Sequence, residues 1–487
     1  MKTSFKKTGK PWIDLGIVAL WDYFATRFED DLTVEETFEE IRLNGLVIRF
    51  QSDSLILEGD EEKINEELQN ALASLRRSIW SATKRGKMWW SGVAQFFFKQ
   101  RNRPDGFLAL PAELVESSKY SNGTCDFCGR SDLQVRPVGA SEDPFIVTRD
   151  KWKTFYPSHR GDIKICVNCV FASRFSPLKT FFNINRDILN ASIMESADLL
   201  DSSKTLWDFS RFFAEAGDYR NYPPSINYVQ SPLETFMDFL FSTWRELVRK
   251  GLLEKHRLRG KQFHVIQAQQ QRGGGFLIEH YYVIPDIYRI LQIFDSMRWQ
   301  DKSGKSHNAF LQVLNNFYFS RDGERDTILR EELSRRVLYT SDIYDVIEDF
   351  LYRYALVESK TLSVFSTINF YIFTERYEKE VMNVDEKILG SCKSLGNSLG
   401  NLAAETDDKS VLYTLRSTRN LDDFLGALHQ TLVRYMDEIG VYRKGVERIL
   451  EEVNDRNWKR YRALTGIYAI LRFMKAKGER KEGKQNE

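Results

Sequence analysis

Four cysteines are the residues of this chain best placed for chemistry. They form two short motifs, Cys125-Asp-Phe-Cys128-Gly129 and Cys166-Val-Asn-Cys169. A Cys-x-x-Cys pair sets two sulfurs on one side of a tetrahedron, so two pairs make a four-thiolate zinc site. A shell closed by four sulfurs has no position for a water, which makes such a Zn(2+) structural rather than catalytic. Two disulfides, or four separate buried thiols, are the alternatives. Gly129 suits the tight turn that aims backbone N–H groups at thiolates. The insert 129–165 is longer than the ~15–20 residues of compact sites. A small zinc-binding subdomain at about 120–175 is therefore expected, rich in cations (Arg130, Arg136, Arg149, Lys151, Lys153, His159, Arg160, Lys164), with the metal holding it beside the basic stretch described next.

A second chemistry is phosphate binding. Between Leu68 and Pro104 there is no acidic residue, while Arg76, Arg77, Lys84, Arg85, Lys87, Lys99, Arg101 and Arg103 alternate with Trp80, Trp89, Trp90 and Phe96–Phe98. Cations neutralise phosphates and aromatic faces stack on unpaired bases, so the stretch reads as nucleic-acid-binding. The plainer reading is a solvated helix face above buried aromatics. A second basic run holds Lys255, Arg257, Arg259 and Lys261. It leads into Gln269, Gln270, Gln271, Arg272, Gly273 and Gly274, whose amides and guanidinium could read base edges of a duplex where glycine lets the backbone approach. An ordinary flexible hairpin tip fits the same residues.

Catalytic motifs are not found. The six histidines show no metal-ligand spacing, and there is no Gly-x-Ser-x-Gly elbow, Walker motif or deaminase pattern. Asp342, Asp345, Glu348 and Asp349 cluster on one helix and read as a solvated face. The sequence thus predicts no enzyme.

The elements that must position these residues follow from patterning. A chain of 487 residues with 42% hydrophobic and 29% charged content exceeds one core and is not disordered. The net charge of +1 favours no partner by itself. Cysteine usage, the lack of a secretory h-region and the lack of an apolar span of ~20 residues predict a cytoplasmic protein without membrane contact. Pro11 fits a helix start with Asp14 as a cap. Thr33-x-x-Glu36 is a capping box for a short helix through Ile41. Leu46–Phe50 and Leu55–Leu57 read as a hairpin, 61–81 as a helix, and 262–285 as a long hairpin with a Gln/Gly-rich tip. From Val384 onward, apolar residues recur at helical spacing between short loops, which predicts an antiparallel bundle. The expected fold class is α+β. A mixed N-terminal domain (1–380) carries the inserted four-cysteine subdomain, an all-α C-terminal bundle (381–475) follows, and 476–487 is a disordered tail.

The opening Gly9-x-Pro11-Trp12-x-Asp14-x-Gly16, taken with the two knuckles, resembles the CXXC–CXXC family of large subunits of type I-B CRISPR surveillance complexes (Cascade). The match covers roughly the first 170 residues, and the C-terminal bundle agrees as architecture. The resemblance implies a non-catalytic subunit of an RNA-guided DNA-binding complex. It would bind the 5′ end of the CRISPR guide RNA, recognise the protospacer-adjacent motif in target double-stranded DNA, aid duplex opening and recruit the effector helicase–nuclease. Its other partners would be the Cascade backbone and small subunits. Base pairing reads the sequence in such complexes, while protein reads a short duplex motif. The family also implies that Met382, just before the bundle, could start a separate small-subunit product. A zinc-stabilised RNA-processing or RNA-modifying enzyme is the alternative from another class.

Overall fold

The computed structural model describes residues 1–28, 39–84, 110–111, 114–115, 120–138, 163–185, 188–195, 197–206, 226–227, 229, 231–250, 258–270, 276–321, 324–434 and 442–485. The chain forms two compact units, one of residues 1–223 and 243–288, the other of 224–242 and 289–487. It is a mixed α/β protein whose C-terminal region is helical.

The first unit is built on helix α1 (Pro11–Phe28), which follows strand β1 (Lys2–Lys6). Trp12, Ile13, Leu15, Ile17, Val18, Leu20, Trp21 and Phe24 are all buried, so α1 is apolar around most of its girth, as a helix inside a core must be. Pro11 is its first residue, where the missing N–H costs nothing. Asp14 turns back to accept from the N–H groups of Thr8 (2.7 Å) and Gly9 (3.0 Å). Strands β2 (Glu40–Leu43), β3 (Leu46–Phe50) and β4 (Ser54–Glu58) complete an antiparallel sheet of order β1-β4-β3-β2. Ile41 is therefore in a strand, opposite Ile48, and not at the end of a helix. Its alternation with exposed Glu40 and Arg42 is the strand period winning over the helical reading. The capping box Thr33–Glu36 lies outside the described residues. Helix α2 (Glu61–Lys84) follows, and its buried Glu67 takes Arg27 of α1 and Asn44 of the β2–β3 turn.

Strands β5 (Ser121–Gly123), β6 (Leu133–Pro137) and β7 (Lys164–Cys166) form a small antiparallel sheet ending in helix α3 (Val167–Ser173). A last sheet of order β11-β10-β9-β8 contains β8 (Phe181–Asn185), β9 (Ile188–Glu195), β10 (Gln262–Gln270) and β11 (Phe276–Ile284). The long hairpin expected over 262–285 is the β10–β11 pair. Helix α4 (Pro232–Lys250) starts in the second unit and ends in the first.

The second unit runs on through α5 (Ile287–Ser296), the hairpin β12 (Arg298–Gln300) and β13 (Ser306–Asn308), α6 (Ala309–Asn316), and the hairpin β14 (Phe319–Arg321) and β15 (Glu324–Asp326). Helices α7 (Ile328–Leu338), α8 (Tyr344–Tyr352), α9 (Val364–Glu380), α10 (Glu386–Thr406), α11 (Ser410–Ser417), α12 (Leu421–Arg434), α13 (Tyr442–Glu452) and α14 (Trp458–Gln485) complete it. Glu234 and Arg330, neither exposed at all, form a two-point ion pair (2.9 and 3.1 Å), and Arg330 also donates to the Asn227 carbonyl. Complete pairing of this kind is what makes a buried charge tolerable.

Three expectations change here. The domain edge near Glu380 falls inside the second unit. Of the acids expected on one solvated helix face, Glu348 is buried against Arg462 (2.7 Å), Asp349 and Asp345 stay partly exposed while pairing with Arg416 (2.6 Å) and Arg336, and Asp342 precedes α8 and meets Arg460. These pairs link α8 and Asp342 just before it to α7, α11 and α14, on both sides of that edge. The tail is helical as far as Gln485, with Lys475–Glu479 at (i, i+4) and Lys477 on Asp407.

The bundle also departs from a purely antiparallel arrangement. A Cβ at Gly396 would lie 2.6 Å from the Thr465 carbonyl oxygen, and one at Gly400 2.3 Å from that of Ala469. One turn forward on α10 thus matches one turn forward on α14, so these two helices run in the same direction at backbone contact. Only glycine permits that approach.

Glu378 of α9 is fully buried, and neither of its carboxylate oxygens has a hydrogen-bond partner among the described residues. Burial pushes its pKa up to about 7, with Arg460, 3.9 Å away, opposing and Asp342 adding to the rise. Between the ordinary carboxylate pKa and about 7 the folded state binds more protons than the unfolded one, so stability falls as pH rises through that window. We expect Glu378→Gln to remove this fall. Thermal melts of parent and variant from pH 5 to 8 should diverge, with the variant gaining as pH rises; parallel curves would show that the carboxyl carries no such penalty.

Candidate metal centre

The two knuckles meet. The donor atoms of Cys125, Cys128, Cys166 and Cys169 all lie within 4.8 Å of one another, and all four residues are buried. None is in a disulfide. The Cys125–Cys169 and Cys128–Cys166 sulfurs are 4.0 and 3.8 Å apart. A tetrahedron with metal–sulfur bonds of about 2.3 Å has edges of about 3.8 Å. The donor set therefore fits a thiophilic metal ion with a closed shell.

Local structure explains how each sulfur arrives. The first knuckle is a turn in which the Gly129 N–H donates to the Cys125 carbonyl (2.9 Å) and Gly129 takes φ +69°. Cys166 ends β7, and its N–H donates to the Cys125 sulfur (3.2 Å). Cys169 sits in the first turn of α3. Without a cation, four sulfurs this close compete for protons. Hydrogen bonding, from Cys125 first, holds Cys128 well below the usual thiol range and pushes Cys169 well above it. A divalent cation ends that conflict by taking all four as thiolates.

Around the cluster, the chain's opening and the knuckles pack as one body. The Arg130 guanidinium donates to the Ser4 hydroxyl (2.6 Å) and carbonyl (2.9 Å), and the Asn168 amide donates to the same carbonyl (2.9 Å). Phe171 packs on Phe5 with ring centres 5.8 Å apart. A Cβ on Gly16 would lie 2.0 Å from the Ala172 carbonyl oxygen, so α1 and α3 touch backbone to backbone. The Ser176 hydroxyl donates to the Trp12 carbonyl (2.5 Å). Among the described residues the four-cysteine region thus packs against β1 and α1, and Arg130 is engaged with Ser4 rather than offered to solvent. Residues 139–162 of the insert lie outside the described residues. Ser4, Asn168 and Gly16 were missed in the sequence as partners of this site; only a glycine interrupting the apolar run of α1 hinted at a close approach.

Of the cations expected to bind nucleic acid, Arg77 is exposed on α2, which also carries Arg76 and Lys84. Arg85, Lys87, Lys99, Arg101, Arg103, Lys255 and Arg257 lie outside the described residues. Arg259 is exposed, with its guanidinium 4.8 Å from the Tyr288 ring centre. Lys261 is buried and paired with Asp201, and burial brings its pKa down to about 8, so it does not belong to an open cationic surface. Gln269 is exposed on β10, which ends at Gln270; Gln271, Arg272, Gly273 and Gly274 are outside the described residues. Met382 occupies the turn between α9 and α10, its N–H on the Tyr377 carbonyl (3.2 Å). No described helix is long and apolar enough to cross a membrane.

No protein-family model matches the sequence, and no curated protein does.

Two substitutions separate the metal from the packing around it. Cys125→Ser should abolish stoichiometric metal, measured by elemental analysis, and lower solubility. Gly16→Ala should retain the metal yet lose stability by about 1–3 kcal/mol or more in denaturant melts, because the new methyl meets backbone rather than a movable side chain. A Gly16→Ala protein as stable as the parent would remove the close approach of α1 and α3.

Proposed function

We propose that this chain is a large subunit of a type I-B CRISPR RNA-guided surveillance complex, with structural Zn(2+) on Cys125, Cys128, Cys166 and Cys169. The observation that supports the reading is the union of two motifs far apart in sequence. The Gly9–Gly16 opening packs on the helix that carries Cys169 and on the turn after it through Gly16–Ala172 and Trp12–Ser176, while the second knuckle holds the preceding strand β1 through Asn168–Ser4. A marker whose parts are fastened together has a shared structural reason to occur together.

In this role the zinc does no chemistry. It would hold the base from which the protein binds the guide-RNA 5′ end and reads a protospacer-adjacent motif, with the basic stretch 76–103 on phosphates and the 269–274 tip at the duplex. Cascade backbone and small subunits and an effector helicase–nuclease are the partners this reading requires, in the cytoplasm. The start at Met382 would release α10 to α14, a set that contains the parallel α10–α14 pairing.

Expression with the genes of its neighbourhood should co-purify a guide RNA and repeated backbone subunits. The purified protein should bind nucleic acid with a steep salt dependence, and reversing Lys84, Arg85 and Lys87 to Glu should lower the slope by about 0.7–0.9 per lost phosphate contact. A protein with no salt-dependent nucleic-acid affinity would end this reading.

A further inference from the structure

Helices α9, α10 and α14 meet over a run of buried polar side chains that do not satisfy one another. Thr374 and Glu378 of α9, and Thr465 and Tyr468 of α14, are all closed to solvent. Among the described residues, no hydrogen-bond partner reaches the two threonine hydroxyls, either Glu378 oxygen, the Tyr468 hydroxyl or the Arg460 Nε. Thr367, Thr406 and Thr414 of the same unit donate to the carbonyl four residues back, as helical threonines can. Thr374 and Thr465 do not, which leaves their hydroxyls for another partner.

Two contacts fix how these residues line up. The Tyr371 hydroxyl lies 3.3 Å from the Tyr468 carbonyl oxygen, and the two rings stack with centres 5.5 Å apart. Further along α9, a Glu378 oxygen lies 3.9 Å from the Arg460 Nε, which is further back on α14. The two helices therefore run antiparallel, and Thr374 and Thr465, each one turn in from the tyrosine pair, stand at the same level. Helical spacing puts Tyr371, Thr374 and Glu378 on one face of α9, and Thr465 and Tyr468 on one face of α14. Helix α10 closes the third side. A Cβ on Gly396 would lie 2.6 Å from the Thr465 carbonyl oxygen, and the Cys392 thiol donates to the Tyr461 carbonyl (3.9 Å).

The unmatched set selects its own occupant. It mixes donors, the Arg460 Nε–H and the hydroxyls, with the acceptor oxygens of Glu378. A metal cation there would meet the Arg460 guanidinium, and an anion would meet Glu378. A small neutral molecule that both donates and accepts serves every member, and water is that molecule. Buried waters typically make about three hydrogen bonds to groups of this kind.

We propose that ordered water occupies the α9–α14 seam, held by Thr374, Glu378, Thr465 and Tyr468, and is the direct hydrogen-bonding partner of the Glu378 carboxyl. The titratable and charged groups around that carboxyl are Arg460 and Tyr468 on α14, Cys392 on α10, Tyr377 on α9, Tyr344 on α8 and Asp342 before it. Arg460 is the cation among them and favours the ionised form, while Asp342 and burial oppose it. Water in the seam adds to the side of Arg460, because it solvates the carboxylate.

A high-resolution crystal structure of the full-length protein should show density within about 2.7–3.2 Å of at least two of these side-chain oxygens. The same side chains seen clearly with no density between them would overturn the proposal. The paired replacement Thr374→Val and Thr465→Val keeps the shape and removes two of the groups that hold the water. Glu378 is then less well solvated when charged, and its pKa rises further. The fall of stability with pH should extend about one pH unit higher, a part of the 3–5 units that complete desolvation reaches. Thermal melts from pH 5 to 9 read that shift, and adding Glu378→Gln to the valine pair should abolish it. A folded valine pair that follows the parent's pH curve overturns the proposal too. Should the pair fail to fold, the crystal structure of the unaltered protein decides.

Discussion

The first unit depends on a crowding of sulfur that water would not tolerate. Like charges about 4 Å apart repel by several kcal/mol at the dielectric of a protein surface and by more inside, so four thiolates stay together only around a shared cation. Everything near the cluster is placed by that gathering. Cys166 brings β7 to the first knuckle, and Cys169 fixes the start of α3. With α3 set, the backbone of α1 can lie on Ala172, and the Ser4 carbonyl can take both Asn168 and Arg130. The cluster is a small feature, yet it determines where the central helix of the unit sits.

The second unit is held by a different economy of charge. Its helices carry acids and arginines that would separately be surface residues, and packing turns them into pairs. The Glu234–Arg330 pair has its hydrogen-bonding needs met and is closed to water. Glu348 has Arg462 and Arg416 to oppose the effect of its burial. Glu378 has only a distant Arg460, and its carboxyl holds a proton more tightly in consequence. These three carboxylates span the range from full to minimal compensation, and the number of donors within reach decides the outcome in each case.

Much of this was legible in residue order. Spacing alone announced the four thiols, because a Cys-x-x-Cys turn is local chemistry. Alternation announced the hairpins at 46–57 and 262–284, and helical periodicity announced α10 to α14. What could not be read was who faces whom. Arg416, Arg460 and Arg462 sit on polar helix faces in any helical wheel, and only the tertiary arrangement shows that α8 and Asp342 just before it supply their carboxylates. The edge near Glu380 failed for the same reason, since a boundary inferred from a change of pattern is invisible to ion pairs that cross it. His264 and Glu195 are far apart in sequence, and their meeting is a matter of strand order.

The parallel contact of α10 and α14 has a consequence for how the molecule is made. The helix that α10 packs against at Gly396 and Gly400 is not its neighbour in the chain but one that follows after three others. During synthesis α10 emerges with an apolar, glycine-lined side that nothing yet synthesised can cover at that backbone distance. The gap must be closed by a long loop at an entropic cost that grows slowly with length, and the contact raises the sequence separation on which folding rate depends. The second unit is thus set up to complete its core late, from the far end of its sequence, and the exposed side of α10 is the surface a chaperone would meet in the interval.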